Sequence, residues 1–286
     1  MTAIPSPAPL PPLREVIRRH GLQADKRLGQ HFLTDPSILA RIARAAGPLE
    51  GCTVLEVGPG PGGLTRAILE AGAARVIAVE RDARCIAALE ELVSWSGGRL
   101  EIVEADARRF DPAGLAPEGQ LRLVANLPYN VGTELLLGWY RRLELFHSLT
   151  LMFQREVVLR LVAQQGADDY GRLAVMTRRL CRAERVFDLS PASFVPPPKV
   201  HSSLVRLVPR PDLPTAAERR LLERVTQAAF GQRRKMLRSS LKSLGVAPEP
   251  LLERAGIDPQ RRAETLSLDE FEALARALGG YAAQGS

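Results

Sequence analysis

Between residues 53 and 163 the chain alternates short apolar runs with stretches of helical spacing, a pattern that few folds accommodate. "TVLEVG" (53–58), "RVIAVE" (75–80), "LEIVEAD" (100–106), "LRLVAN" (121–126) and "LTLMFQ" (149–154) read as strands. Helices are expected over 62–72, 82–95, 132–144 and 156–163. The strands are near-continuous apolar runs, as required of strands covered by helices on both faces of a parallel sheet. The expected fold is therefore α/β, a doubly wound and mostly parallel sheet.

The flanks differ. A short helix is expected over 12–22 and another over 36–46, with Asp35 as N-cap and Pro36 in the first turn; 26–35 reads as irregular. After a helix at 170–180, the runs 184–190 and 201–208 suit an antiparallel pair at the sheet edge. "SFVPPPKV" (193–200) between them reads as a rigid turn. "PRPDLP" (209–214) resembles a linker. Helical patterns at 215–230, 234–244, 249–255 and 268–278 then predict a small all-helical domain. The expected domains are an N-terminal extension (1–25), an α/β domain (26–208) and a helical domain (215–286). The proline-rich "MTAIPSPAPLPP" lacks a basic start and a long apolar core, so a disordered extension is expected there rather than a secretory signal.

Three polar features fall at the ends of the expected strands. "EVGPGPGG" (56–63) places Gly58, Gly60 and Gly63 in a G-x-G-x-x-G pattern, and Gly58, Gly60 and Gly62 in an E-x-G-x-G-x-G pattern led by Glu56, between a strand and a helix. Glycines there let a backbone approach a ligand closely. Glu80 ends the second strand, where a carboxylate accepts both hydroxyls of a ribose. Asp106 follows the third; it suits either a turn or a hydrogen bond from an exocyclic amine such as adenine N6. This set fits a dinucleotide or S-adenosylmethionine, which share an adenosine end.

"NLPY" (126–129) separates the two. An adenine amine is a poor nucleophile because its lone pair is delocalised into the ring. Hydrogen bonds accepted from its N–H groups favour tetrahedral geometry and free that lone pair. The Asn126 side-chain carbonyl and the Leu127 main-chain carbonyl can accept them, Pro128 fixes the backbone, and Tyr129 can stack on the base. No strong base is needed, because the nitrogen becomes acidic once alkylated. A dinucleotide oxidoreductase would explain the glycines and Glu80 but not this segment.

The charge points to a polyanionic partner. The formal net charge is +7, with pI about 9.8. Arg224, Arg233, Arg234, Lys235, Arg238 and Lys242 fall in a stretch, 224–248, without a single acidic residue. Spacings of three and four would place several on one helix face, which points to phosphate contact. Three cysteines, none in a C-x-x-C pair, argue against a disulfide framework or a zinc site and suit a reducing cytoplasm. His20, His147 and His201 have no ligand spacing, and no metal is expected. No apolar run is long enough to span a bilayer.

"KRLGQHFL" (26–33), "EVGPGPGGLT" (56–65), "NLPYNV" (126–131), "YGRLAVM" (170–176) and "FVPPPKVHSSLVRL" (194–207) together resemble the ribosomal RNA adenine dimethylases, and most closely their bacterial small-subunit group. The resemblance covers roughly 26–280. It implies a class I, Rossmann-like methyltransferase domain that takes methyl groups from S-adenosylmethionine. The implied substrate is 16S rRNA in the immature small ribosomal subunit, dimethylated at N6 of two adjacent adenosines in the 3′-terminal hairpin loop. A monomeric, cytoplasmic enzyme without a membrane is expected. By the same resemblance His31 and Leu33 touch the cofactor, Gly58 and Gly60 form its turn, Glu80 holds the ribose and Asp106 meets the adenine. Asn126 closes the cofactor site and faces the target amine, and Tyr129 and Phe194 sandwich the target base. Phe194 also suits stacking on its own account, as an aromatic ahead of three prolines, with Lys199 and His201 placed to meet phosphate. Two further readings are a large-subunit rRNA dimethylase and an RNA-binding assembly factor with little catalysis.

Overall fold

The computed structural model describes residues 10–22, 30–232 and 234–282. The first nine residues of the proline-rich stretch, residues 26–29 of "KRLGQHFL" and Arg233 lie outside them. The chain divides into two compact units.

The first unit comprises Met1–Trp139, Glu144–Arg155 and Arg185–Leu207. It opens with α1 (Leu13–Arg19), β1 (Phe32–Leu33) and α2 (Pro36–Ala45), the last started by Asp35, whose carboxylate accepts the Ser37 N–H. Then follow β2 (Thr53–Val57), α3 (Gly63–Glu70), β3 (Arg75–Glu80), α4 (Ala83–Trp95) and β4 (Leu100–Glu104). After these come β5 (Leu121–Asn126), α5 (Gly132–Tyr140) and β6 (Phe146–Gln154). The later strands are β7 (Cys181–Leu189), β8 (Phe194–Val195) and β9 (Ser202–Pro209).

Seven strands form one sheet in the order β4-β3-β2-β5-β6-β9-β7. The first five run parallel, and β9 is antiparallel to β6. Val54, Val76, Ala78 and Val124 of the sheet are buried with Ile68 of α3 and Leu89 and Leu92 of α4. Full burial of each such aliphatic side chain contributes about 1.5–3 kcal/mol, which selects the covered parallel sheet over an exposed one.

Chain order reverses at β2: the next two strands lie to one side of it and β5 to the other. Open α/β sheets bind ligands at such a switch point, beyond the carboxyl ends of the strands. The glycine turn after β2 and the Asn-Leu-Pro-Tyr turn after β5 flank it.

Two segments read as irregular or turn contain a short ladder. β1 pairs antiparallel with β8, Phe32 opposite Val195 and Leu33 opposite Phe194. Two-residue strands this far apart in sequence leave no periodicity to detect.

The second unit gathers Tyr140–Leu143, Glu156–Glu184 and Val208–Ser286. It contains α6 (Arg155–Val162), α7 (Arg172–Leu180), α8 (Ala216–Gly231), α9 (Leu237–Ser240), α10 (Pro248–Ala255) and α11 (Leu268–Ala282). It thus takes in residues 156–184, expected to belong with the α/β domain. Aromatic packing supplies the reason: Phe230 stacks on Phe271 at 5.5 Å and meets Tyr170 edge-on at 6.3 Å. The Tyr170 hydroxyl also donates to the Leu266 carbonyl. Thr215 and Glu218 close a reciprocal capping box at the start of α8. The continuous helix expected over 234–244 is shorter: α9 starts only at Leu237 and tightens into a 3₁₀ turn, Leu241–Leu244, ended by Gly245 at φ +78°. Arg234 and Lys235 therefore precede the helix.

Candidate active site

The ends of β2, β3 and β5 meet around an open cavity of about 120 Å³. Gly58, Gly60 and Gly62 of the turn after β2 have φ values of +69°, +55° and +82°, a conformation that L side chains rarely adopt. A Cβ on Gly60 would also stand 3.3 Å from the Phe32 ring, so the turn and that ring are fitted to each other.

Glu80 is held by three backbone N–H groups. Its Oε2 accepts from Gly60 at 3.1 Å, and its Oε1 accepts from Arg81 at 2.8 Å and Asp82 at 2.9 Å. The carboxylate is thus oriented towards the cavity it lines, with lone pairs remaining for ligand hydroxyls. Asp106 serves the turn and the cavity together: Oδ1 accepts the Arg108 N–H at 3.0 Å, and the Arg108 guanidinium grips both carboxylate oxygens. Those bonds, with Arg81 beyond them, hold the Asp106 carboxyl far below the usual carboxylate range. Glu56 is 1 % exposed and lines the same cavity. Burial pushes its pKa up to about 8; the Thr65 hydroxyl pulls the other way, and the charge of Glu80 adds to the rise. Among the described residues its Oε2 has no hydrogen-bond partner.

The corner after β5 is built from polar groups with fixed directions. Asn126 donates from Nδ2 to the His31 carbonyl at 3.3 Å, which leaves Oδ1 free to accept. Among the described residues, no hydrogen bond outside helices and strands is made to the Leu127 carbonyl. The Pro128 carbonyl, in contrast, accepts from Val131 and Gly132 and starts α5. Tyr129 is half-buried; its phenolic oxygen lies 2.5 Å from Ser202 Oγ, and its ring centroid is 5.4 Å from that of His31. His31 Nδ1 donates to the Pro196 carbonyl at 2.8 Å.

His31, Leu33, Gly58, Gly60, Glu80, Asp106, Asn126, Leu127, Pro128 and Tyr129 all line this one cavity. Phe194 does not. Its side chain is 2 % exposed and belongs to the hydrophobic core with Leu33, Leu204 and Leu189. The strand that carries it, β8, is the one paired with β1. Arg234, Lys235, Arg238 and Lys242 are exposed.

Four residues around the site were not expected in their roles: Phe32 against the glycine turn, Arg108 gripping Asp106, Glu56 as a buried acid, and Ser202 on the Tyr129 phenol. Only Arg108 had a local signal, as the residue two positions after a turn-forming Asp.

The charges decide which adenosine-bearing ligand fits. A pyrophosphate needs free N–H groups at the glycine turn, yet the Gly60 N–H is taken by a carboxylate, and Glu56 lies beside it. A sulfonium and an α-ammonium group, in contrast, suit a buried acid with an unpartnered oxygen that ionises once a cation arrives. Fold and cavity thus define the class: a Rossmann-like, S-adenosylmethionine-dependent methyltransferase with an amine-directed corner after its β5 strand.

The chain belongs to the ribosomal RNA adenine dimethylase family, whose model matches residues 21–278. It is 58% identical over 272 residues, 94% of each chain, to "Ribosomal RNA small subunit methyltransferase A" of Rhodopseudomonas palustris (strain TIE-1). A protein of the same name from Azorhizobium caulinodans is 59% identical over 273 residues, again 94% of each. Among solved structures, a dimethyladenosine transferase from Plasmodium falciparum superposes with a TM-score of 0.72 at 27% identity, covering 89% of this chain and 98% of that one. The 23S rRNA methyltransferase ErmE does so with a TM-score of 0.62 at 30% identity, covering 87% and 99%.

Proposed function

We propose that this chain transfers methyl groups from S-adenosylmethionine to N6 of adenosines in small-subunit rRNA, giving N6,N6-dimethyladenosine. In the finer reading, the targets are two adjacent adenosines in the 3′-terminal hairpin loop of 16S rRNA within the immature small subunit. The enzyme acts late in assembly, in the cytoplasm, as a monomer. The observation that carries the reading is the single cavity shared by the Glu80 and Asp106 carboxylates and the Asn126–Tyr129 corner. Relatives at 58–59% identity are named for the small subunit, whereas the 23S enzyme stands at 30%, which favours the small-subunit substrate.

In this reading Glu80 holds the cofactor ribose, Asp106 meets its adenine, and His31, Leu33 and the Gly58–Gly60 turn close around it. When bound, the cofactor supplies an electrophilic methyl group on a cationic sulfur. The protein's own part is to make the amine reactive. Asn126 Oδ1 and the Leu127 carbonyl accept its two N–H hydrogens, which frees the lone pair. Pro128 fixes the carbonyl direction, and Tyr129 stacks on the purine to hold the nitrogen in line. The nitrogen turns acidic as it is alkylated, so its proton leaves to water without a dedicated base. A second round needs only one accepted hydrogen bond, because one hydrogen remains.

The extruded base goes to the α/β unit, while Arg234, Lys235, Arg238 and Lys242 of the helical unit, with Arg233 beside them in sequence, meet phosphates. Incubation of the purified protein with labelled S-adenosylmethionine and undermethylated small subunits tests the reading. Label in dimethyladenosine of the small-subunit rRNA is expected; label elsewhere, or none, rejects it.

A further inference from the structure

We infer that Ser202 is a positioning residue of the methyl-transfer reaction: its hydroxyl fixes the Tyr129 ring, and with it the plane on which the target purine stacks. This rests on Tyr129 being the stacking residue of the proposed function. Tyr129 lies in a turn beyond the end of β5, where backbone pairing has stopped. Its ring can rotate about two side-chain torsions unless its far end is held.

The structure holds that end. The phenolic oxygen lies 2.5 Å from Ser202 Oγ, and Ser202 is fully buried as the first residue of β9. Ser202 sits opposite Gln154 in the β9–β6 ladder, and β6 pairs with β5 up to Asn126 opposite Met152. The hydrogen bond therefore closes a circuit through three paired strands. It runs from the residue that accepts the amine hydrogen to the ring that carries the base. On another side of the ring stands His31, its plane tilted by 32° and its Nδ1 tied to the Pro196 carbonyl. A phenol held at its oxygen and flanked by a fixed imidazole presents one plane to a stacked base.

The pair also accounts for tyrosine rather than phenylalanine at 129. A phenyl ring stacks as well, but it would leave the buried Ser202 hydroxyl without this partner. Nor is the phenolic oxygen spare for proton transfer, since burial raises its pKa and the serine occupies it.

The test is a double-mutant cycle of Ser202→Ala, Tyr129→Phe and the double variant, with kcat, KM for undermethylated small subunits and cofactor Kd measured for each. Each single change is expected to lower kcat about tenfold with cofactor Kd unchanged, and the double variant to be no worse than either single. Effects that multiply, or a change confined to cofactor Kd, would overturn the inference. A crystal structure of Ser202→Ala reads the same claim without activity. The Tyr129 ring is expected to turn or to lose order, and an unmoved ring would overturn the inference. Absence of methyl transfer by the wild-type protein would instead reject the functional reading, and the ring position would still judge the serine.

Discussion

Asn126 gives its side-chain nitrogen to the main-chain carbonyl of His31, 95 residues earlier in the chain, at 3.3 Å. That bond decides which end of the amide faces the cavity. With Nδ2 committed, Oδ1 is the end available to accept a hydrogen from an incoming amine. Asn126→Ala removes the acceptor and is expected to lower methyl transfer about a hundredfold or more, with the fold intact. Single-turnover transfer from labelled S-adenosylmethionine measures it. A variant with near-normal rate would show that the amide does not act on the amine.

Glu80 faces three backbone donors, so only a carboxylate satisfies them all. In Glu80→Gln an amide N–H would confront one of these N–H groups. Affinity for S-adenosylmethionine is expected to fall tenfold or more, and the unliganded protein to lose about 1–3 kcal/mol of stability. Calorimetric titration and denaturant unfolding read the two effects separately.

The buried Glu56 gives the free protein a pH-dependent stability of unusual sign for a carboxylate. Its pKa is about 8 in the fold, against 4.5 as its ordinary value. Between those limits the unfolded chain is ionised and the folded one protonated, so folding takes up a proton. Stability therefore falls as pH rises from the lower value to the higher and levels off above it. Glu56→Gln removes this slope and is expected to be more stable than wild type at pH 8, by a few kcal/mol in order of magnitude. Parallel stability curves for the two proteins between pH 5 and 8 would contradict the assignment.

At Gly132 the constraint is space. A Cβ there would lie 2.9 Å from the Phe153 ring and 3.4 Å from Leu127 Cβ. Gly132→Ala thus forces Phe153 of β6 to shift, beside Leu127, whose carbonyl is proposed to accept the amine hydrogen. The expected outcome is a loss of kcat of about tenfold or more with cofactor affinity retained, checked by parallel kinetics and binding.

Exposed cations of the helical unit offer a separable test. Glutamate at Arg234, Lys235, Arg238 and Lys242 should weaken rRNA binding and make its salt dependence shallower, by roughly one unit of slope for each phosphate that is no longer neutralised. Cofactor affinity should not change. Filter binding across a range of salt concentrations, with calorimetry for the cofactor, distinguishes this from general damage.

Much of the frame could be read from local pattern. The bounds of β3 (Arg75–Glu80) and β5 (Leu121–Asn126) match the apolar runs, and the glycines, Glu80, Asp106 and Asn126 lie where those runs stop. Such residues are legible because their position relative to one strand end carries the information. Ser202 touching Tyr129, His31 meeting Pro196 and Phe32 lying on Gly60 depend on packing between distant segments, which one sequence does not encode in any period. Phe194 shows the same gap from the other side. The three prolines after it are plain in the sequence, but its pairing with Leu33 and its 2 % exposure have no local signal. Likewise, α6 and α7 continue the helix–strand rhythm of the sheet in sequence, yet the Tyr170–Phe230–Phe271 cluster gathers their segment into the helical unit.

The most direct measurement is nuclease digestion and mass spectrometry of small-subunit rRNA from a strain lacking this gene, complemented with the wild type or with Asn126→Ala. The account predicts that dimethyladenosine disappears from the 3′-terminal hairpin in the deletion, returns with the wild type, and stays absent with the variant. Dimethyladenosine persisting in the deletion strain, or restored by Asn126→Ala, would contradict it.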